Sequence, residues 1–175
     1  MTLKHFAVVS ASLLLSVSAY SQAERMPSPS PELKKLDYFA GTWKTQGQMK
    51  PNQFGPGGSF SSTDHWEWQK GNFFLVGHSE FKIASMGEGV ELAVMGYDPA
   101  KKVFTYESFN SSGEHEVATG SFSGDTWTWN AGEQSSFKWR FIEKVLSPTS
   151  FSAKFEGTQD GTNWNTVFEA TYTKQ

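Results

Sequence analysis

His65 and His78 stand on either side of a Lys70-Gly71 turn signal, and each is followed two residues later by a glutamate, Glu67 and Glu80. On flanking strands, period-two alternation would place all four side chains on one face. A tight hairpin tipped by Lys70-Gly71 pairs Trp68 with Phe73, Trp66 with Leu75 and Thr63 with His78. The two imidazoles are then diagonal neighbours, roughly 7–8 Å apart at the backbone. Imidazole and carboxylate at that spacing suit a shared divalent metal or a proton-transfer pair. A metal site wants three converging protein ligands, and the pattern supplies no third. The same four residues are also what a solvated polar face opposite a Trp-rich one would carry, and that is the reading adopted.

Other catalytic sets fail on similar grounds. The chain has no cysteine, which removes thiolate nucleophiles and thiolate metal ligands. His115 lies between Glu114 and Glu116 just after a turn signal, a solvent-facing context. Asp64 is the sequence neighbour of His65, and neighbours on a strand point to opposite faces. No Gly-x-Ser-x-Gly elbow is present. Gly55-Pro56-Gly57-Gly58 lacks the Lys-Ser/Thr and the helix of a phosphate loop, and reads as a loop at a barrel rim. No catalytic residue, metal or cofactor is therefore assigned.

The elements that would position any site are strands. Seven Trp, fifteen Phe and sixteen Gly in 175 residues favour strands joined by tight turns. About ten alternating runs follow Thr42, at roughly 42–49, 60–69, 72–82, 90–97, 102–109, 114–122, 125–130, 136–144, 149–158 and 163–173. Gly, Pro, Asn, Asp and Ser fill the breaks between them. A hairpin tipped by Asp160-Gly161 pairs Phe155 with Thr166, Ala153 with Phe168 and Phe151 with Ala170. One face then collects Phe151, Ala153, Phe155, Trp164, Phe168, Ala170 and Tyr172, and the other is polar. No second helical pattern appears, so the fold class is all-β, an antiparallel meander. Closing ten strands into a barrel removes both raw edges and leaves room for one small ligand. The residues expected to line that space are Trp43, Trp66, Trp68, Phe73, Leu75, Trp127, Trp129, Trp139, Phe155, Phe168 and Tyr172. A cavity of this lining suits a flat or elongated hydrophobic molecule.

Ahead of the strands, Ser30 is a good N-cap, Pro31 suits the first helical position, and Leu33, Leu36 and Phe39 or Ala40 recur at helical spacing. A short helix over 31–40 would cover one open end of the barrel. Residues 1–23 read as a secretory signal peptide: Lys4, an apolar core from Phe6 to Val17, and Ser21-Gln22-Ala23 at the cleavage site. Residues 24–30 form a flexible linker and 31–175 the barrel domain. The mature protein would be exported, periplasmic or secreted, with no membrane span. Net charge is −3 for the chain, and basic residues do not cluster, so nucleic acid is not a partner. Oligomeric state is not encoded in any pattern found.

Three features in order carry a resemblance. Gly41-Thr42-Trp43 at the start of the first strand resembles the Gly-x-Trp signature of lipocalins. Gly96-Tyr97-Asp98 closes a strand and is followed by the Lys102–Tyr106 strand. Gly120 to Trp129 reads Gly-Ser-Phe-Ser-Gly-Asp-Thr-Trp-Thr-Trp. Together, over 32–173, they resemble a bacterial, often exported, lipocalin-like (calycin-type) family of unknown function, distantly similar to fatty-acid-binding proteins and nitrobindins. That resemblance implies a ten-stranded barrel and brings no catalytic residues. Nitrobindins bind haem through a histidine near the C-terminus, and here no histidine follows His115. The functional expectation is capture of a small hydrophobic molecule. The alternatives are an enzyme of the same fold, and a solid-core structural or stress-related envelope protein.

Overall fold

The computed structural model describes residues 27–51, 56–132 and 137–175. The proposed signal peptide lies outside the described residues. A 3-10 helix spans Pro31–Tyr38, and ten strands follow. They are β1 (Gly41–Met49), β2 (Gly58–Trp68), β3 (Leu75–Ile83), β4 (Gly87–Asp98), β5 (Val103–Asn110), β6 (His115–Ser123), β7 (Thr126–Ala131), β8 (Lys138–Ser147), β9 (Ser150–Thr158) and β10 (Asn165–Lys174). Each strand pairs antiparallel with its sequence neighbours, and β1 also pairs with β10 to close the barrel. The expected all-β, ten-stranded architecture is the one observed.

The helix ends at Tyr38, two residues short of expectation, and is 3-10 rather than α. Leu33, Leu36 and Phe39 recur every third residue, and three residues per turn stacks them on one face. All three are buried. Ser30 caps the helix by accepting from the Glu32 amide. The buried face plugs one end of the barrel. Trp43 is 1% exposed and donates its indole N–H to the Phe39 carbonyl at 2.7 Å. Around it pack Leu75, Phe104, Trp127 and Phe151, with Phe39–Trp127 centroids 5.3 Å apart and Trp43–Phe151 4.9 Å.

Both expected hairpin registers are offset by two residues. Trp68 pairs with Leu75, Trp66 with Gly77 and His65 with His78, because residues 69–74 form the turn, with Asn72 at φ 57. Phe73 therefore sits in that turn and faces no strand partner. In the last hairpin Phe155 pairs with Phe168, Ala153 with Ala170 and Phe151 with Tyr172. An offset of two preserves which side chains share a face, so the apolar and polar faces survive. The exception is Trp164. A bulge between Thr166 and Phe168 switches the side on which earlier residues point. Trp164 lies on the outer wall, where the Arg140 guanidinium covers its ring at 4.2 Å. Asp160 ties the loop ahead of it, accepting from the Thr162 and Asn163 amides and the Thr158 hydroxyl. Those bonds hold its carboxyl well below the usual range.

Candidate functional site

The inward face of the barrel changes character along its axis. At the plugged end it is apolar. Midway it becomes polar, through residues in phase with aromatic neighbours on their own strands. On β2 the inward set is Phe60, Ser62, Asp64, Trp66 and Trp68; on β8 it is Trp139, Phe141, Glu143 and Val145. Glu91 lies in phase with Ala93 and Met95 on β4, and Tyr106 with Phe104 and Ser108 on β5. Tyr172 on β10 pairs with Thr45 and Phe151. Strand alternation thus aims three carboxyl groups and two phenols into one enclosed space.

Each carboxyl is held by neutral donors. Asp64 accepts from Ser62 Oγ at 2.8 Å and from Thr45 Oγ1 at 3.1 Å. Glu91 accepts from Tyr106 Oη at 2.8 Å. Glu143 accepts from Trp129 Nε1 at 2.9 Å through Oε2. Nearer the open end, Glu116 accepts from Trp139 Nε1 at 3.1 Å. Burial raises Asp64, against hydrogen bonds from Ser79, Ser62 and Thr45 that pull it down. Burial also raises Glu91, opposed by the Tyr106 bond and reinforced by the charge of Asp64. Glu143 is pushed from 4.5 to about 7, by burial first and by the Asp64 charge, with the Trp129 bond opposing. Tyr172 rises well above its ordinary value, by burial and then by the charges of Asp64, Glu143 and Glu91. Its phenol thus sits within the field of all three acids.

Several inward-facing side chains keep accessible surface. Tyr106 and Tyr172 are surrounded by protein, yet both keep accessible surface, as do the inward-facing Glu91, Phe141 and Phe155. Inward surface that remains accessible borders space inside the wall. Glu143 gives the same result at one atom. Among the described residues its Oε1 receives no donor, while every fully enclosed side-chain polar atom is partnered. That oxygen therefore borders open space, although Glu143 is 5% exposed overall. Two further depressions, of about 630 and 690 Å³, lie on the outer wall over β8–β9–β10–β1 and over β1–β4. They are shallow, open and lined by solvated Lys, Gln, Ser and Glu, so the interior is the better candidate.

The residues expected to line a cavity divide by height. Trp43, Leu75 and Trp127 are packed into the plug, and Trp66 and Trp68 face inward beside it, half-buried. Trp68 is held there by donating to Asp37 at 2.8 Å. Trp129 and Tyr172 meet the carboxyl belt. Trp139, Phe155 and Phe168 lie above it toward the open end, with Trp139–Phe155 centroids 5.5 Å apart. Phe73 takes no part. His65 and His78 are directly opposed rather than diagonal, and both are exposed on the outer wall. His65 Nδ1 shares a 3.0 Å hydrogen bond with Thr42 Oγ1. Among the described residues no group of three His, Asp or Glu could hold a metal ion. Sequence reasoning missed Asp64, Glu91, Glu143, Tyr106 and Glu116. Their signal was phase: each acid alternates in step with Trp, Phe or Met on its strand.

A family model described as "Protein of unknown function (DUF1579)" matches residues 28–174. The chain belongs to that family. No curated protein sequence matches it. Among solved structures, Rv2717c from M. tuberculosis is similar at TM-score 0.60 and 14% identity, over 85% of this chain and 99% of that one. The S-type phycobiliprotein lyase CPES from Guillardia theta is similar at TM-score 0.56 and 10% identity, over 81% of this chain and 91% of that one. At such identities the likeness is one of fold. Among the described residues no helix is long and apolar enough to cross a membrane.

Proposed function

We propose that this family member is an exported, lipocalin-like binding protein that encloses one small, largely apolar molecule. The observation that carries the reading is the accessible inward surface of Tyr106, Tyr172, Phe141 and Phe155 around a few convergent polar groups. Apolar walls with sparse, placed polar groups are how proteins hold small ligands. The helix plug blocks one end, so entry is at the other, where the loops joining β3–β4, β5–β6 and β9–β10 lie. Export rests on the sequence of residues 1–23 and is tested by intact mass of the protein from its own host, which should begin at Glu24.

The test of binding is titration with N-phenyl-1-naphthylamine, an uncharged fluorophore. Saturable one-to-one uptake is expected, with a change in Trp emission. Ligand at a hundredfold its Kd should stabilise the fold by about 2.7 kcal/mol. A barrel filled by its own side chains would show neither uptake nor a shift in melting temperature with any compound, and that result would overturn the reading. One observation favours a second reading, an enzyme of this fold. Glu143 is poised at about 7 inside the space, where a general acid–base works best. Turnover of a bound compound that is lost in Glu143→Gln would establish it.

A further inference from the structure

We propose that the barrel interior is a site for an organic cation: a protonated amine carried on an apolar body of roughly aromatic-ring width. This rests on the reading of the barrel as a binding cavity and goes beyond it by naming the ligand class.

The argument begins with how the acids are paired. On the outer surface several acids meet bases: Glu169 meets Lys50 and Lys154, Glu88 meets Lys82, Glu156 meets Arg140, and Glu107 meets His115. Inside, the pattern stops. Among the described residues, Asp64, Glu91, Glu116 and Glu143 face inward and accept from hydroxyls and indoles. Among the described residues, the one base in phase with the inward strand positions is Lys174. It lies at the plugged end, donating to the Tyr38 carbonyl at 3.2 Å and covering the Trp43 ring at 5.2 Å. Asp64, Glu91 and Glu143, with Glu116 nearer the open end, thus face the interior with no counter-charge at their level among the described residues.

Uncompensated buried acids are costly, and the cost is removed by a proton or by a cation. The space around them is shaped for the cation. Glu143 presents an oxygen with no donor among the described residues, in a residue more than nine-tenths buried. Trp129 donates to Glu143, and Tyr106, Phe141 and Tyr172 add aromatic surface to the same inward face, with Tyr106–Trp129 centroids 5.8 Å apart. Aromatic faces attract cations most strongly where water is excluded. The same lining rejects anions. A carboxylate or phosphate would meet these acids and, among the described residues, no base at their level, so a fatty acid is the wrong ligand for this barrel despite the apolar walls.

The experiment uses the mature protein and three compounds of one skeleton: 1-naphthylmethylamine, 1-naphthalenemethanol and 1-naphthoate, titrated at pH 7. The ammonium should bind at least about tenfold tighter than the alcohol, the difference a charge-assisted hydrogen bond makes, and the naphthoate weakest. Glu143→Gln should remove the preference for the amine, while Glu169→Gln on the outer wall should keep it. Amine binding should also release protons, seen as a binding heat that depends on the ionisation enthalpy of the buffer; the alcohol should release none. If the alcohol binds and the amine binds no better, the cation proposal is wrong and the cavity stands. If none of the three binds and N-phenyl-1-naphthylamine is also excluded, the cavity itself is wrong.

Discussion

Glu143→Gln should make this protein more stable above neutral pH while leaving it nearly unchanged in acid. The carboxyl titrates near 4.5 in an unfolded chain and at about 7 in the barrel. The folded state therefore holds the proton more tightly, and between those values it carries more protons than the unfolded state. Stability must then fall as pH rises through that window, because slope follows the proton difference. It is greatest below about 4.5 and flat above about 7. At about 1.36 kcal/mol for each pH unit, the loss over the window is about 3 kcal/mol. The groups that act on Glu143 do not cancel this. Asp64, Tyr172 and Tyr38 are acids, and Trp129 is a neutral donor. Glutamine keeps an oxygen for the Trp129 indole and has no proton to lose. Urea unfolding followed by Trp fluorescence at pH 4, 5, 6, 7 and 8 measures the difference between variant and wild type. That difference should grow from within about 1 kcal/mol at pH 4 to about 3 kcal/mol in favour of the variant at pH 8. Asp64 and Glu91 are also raised and slope the same way, so the wild-type curve falls further than Glu143 alone would take it. Parallel pH curves for the two proteins would refute the placement of Glu143 as an uncompensated buried acid.

Two further substitutions test the architecture. Gly120→Ala would place a methyl 2.4 Å from Trp129 Cε3, so the indole must move off its seat beside Glu143. A cost of about 1–3 kcal/mol is expected, with a shifted Trp emission; an unchanged spectrum and stability would contradict the packing. Trp43→Ala empties the centre of the plug and removes the donor to the Phe39 carbonyl, and should cost about 3–5 kcal/mol in urea unfolding.

The strands were legible because Gly, Pro and Asp interrupt alternating runs at regular intervals, and the helix because Ser30-Pro31-Glu32 announces it. Facing was legible for the same reason, since alternation survives an offset of two. Register was not. The tip dipeptide Lys70-Gly71 looks like a two-residue turn, but nothing local says that Gln69 to Phe74 all belong to the loop. The bulge near Val167 is equally silent, and it sends Trp164 outside although its parity is that of Phe168. The carboxyl belt was hidden by residue type: an acid within a strand, such as Glu143 beside Lys144, reads as a surface residue. Asp64 was weighed against its neighbour His65, when the informative comparison was with Trp66, two positions along the same face. The histidine pair drew attention by residue type, yet its exposure on the outer wall leaves it no enclosure in which to act.

The seam between β1 and β10 has a temporal meaning. Met49 pairs with Phe168 and Trp43 with Lys174, so the first strand made is half-edged until the last has left the ribosome. The Gln175 amide donates to the Thr42 carbonyl, which fastens the seam at its final residue. Every strand in between can zip onto its predecessor, but closure is a single event between the ends of the chain. Contacts so distant in sequence fold slowly. A nascent chain of this kind stays open until β10 has been made, and shortening β10 by a few residues would return the closed ring to an open sheet with two reactive borders.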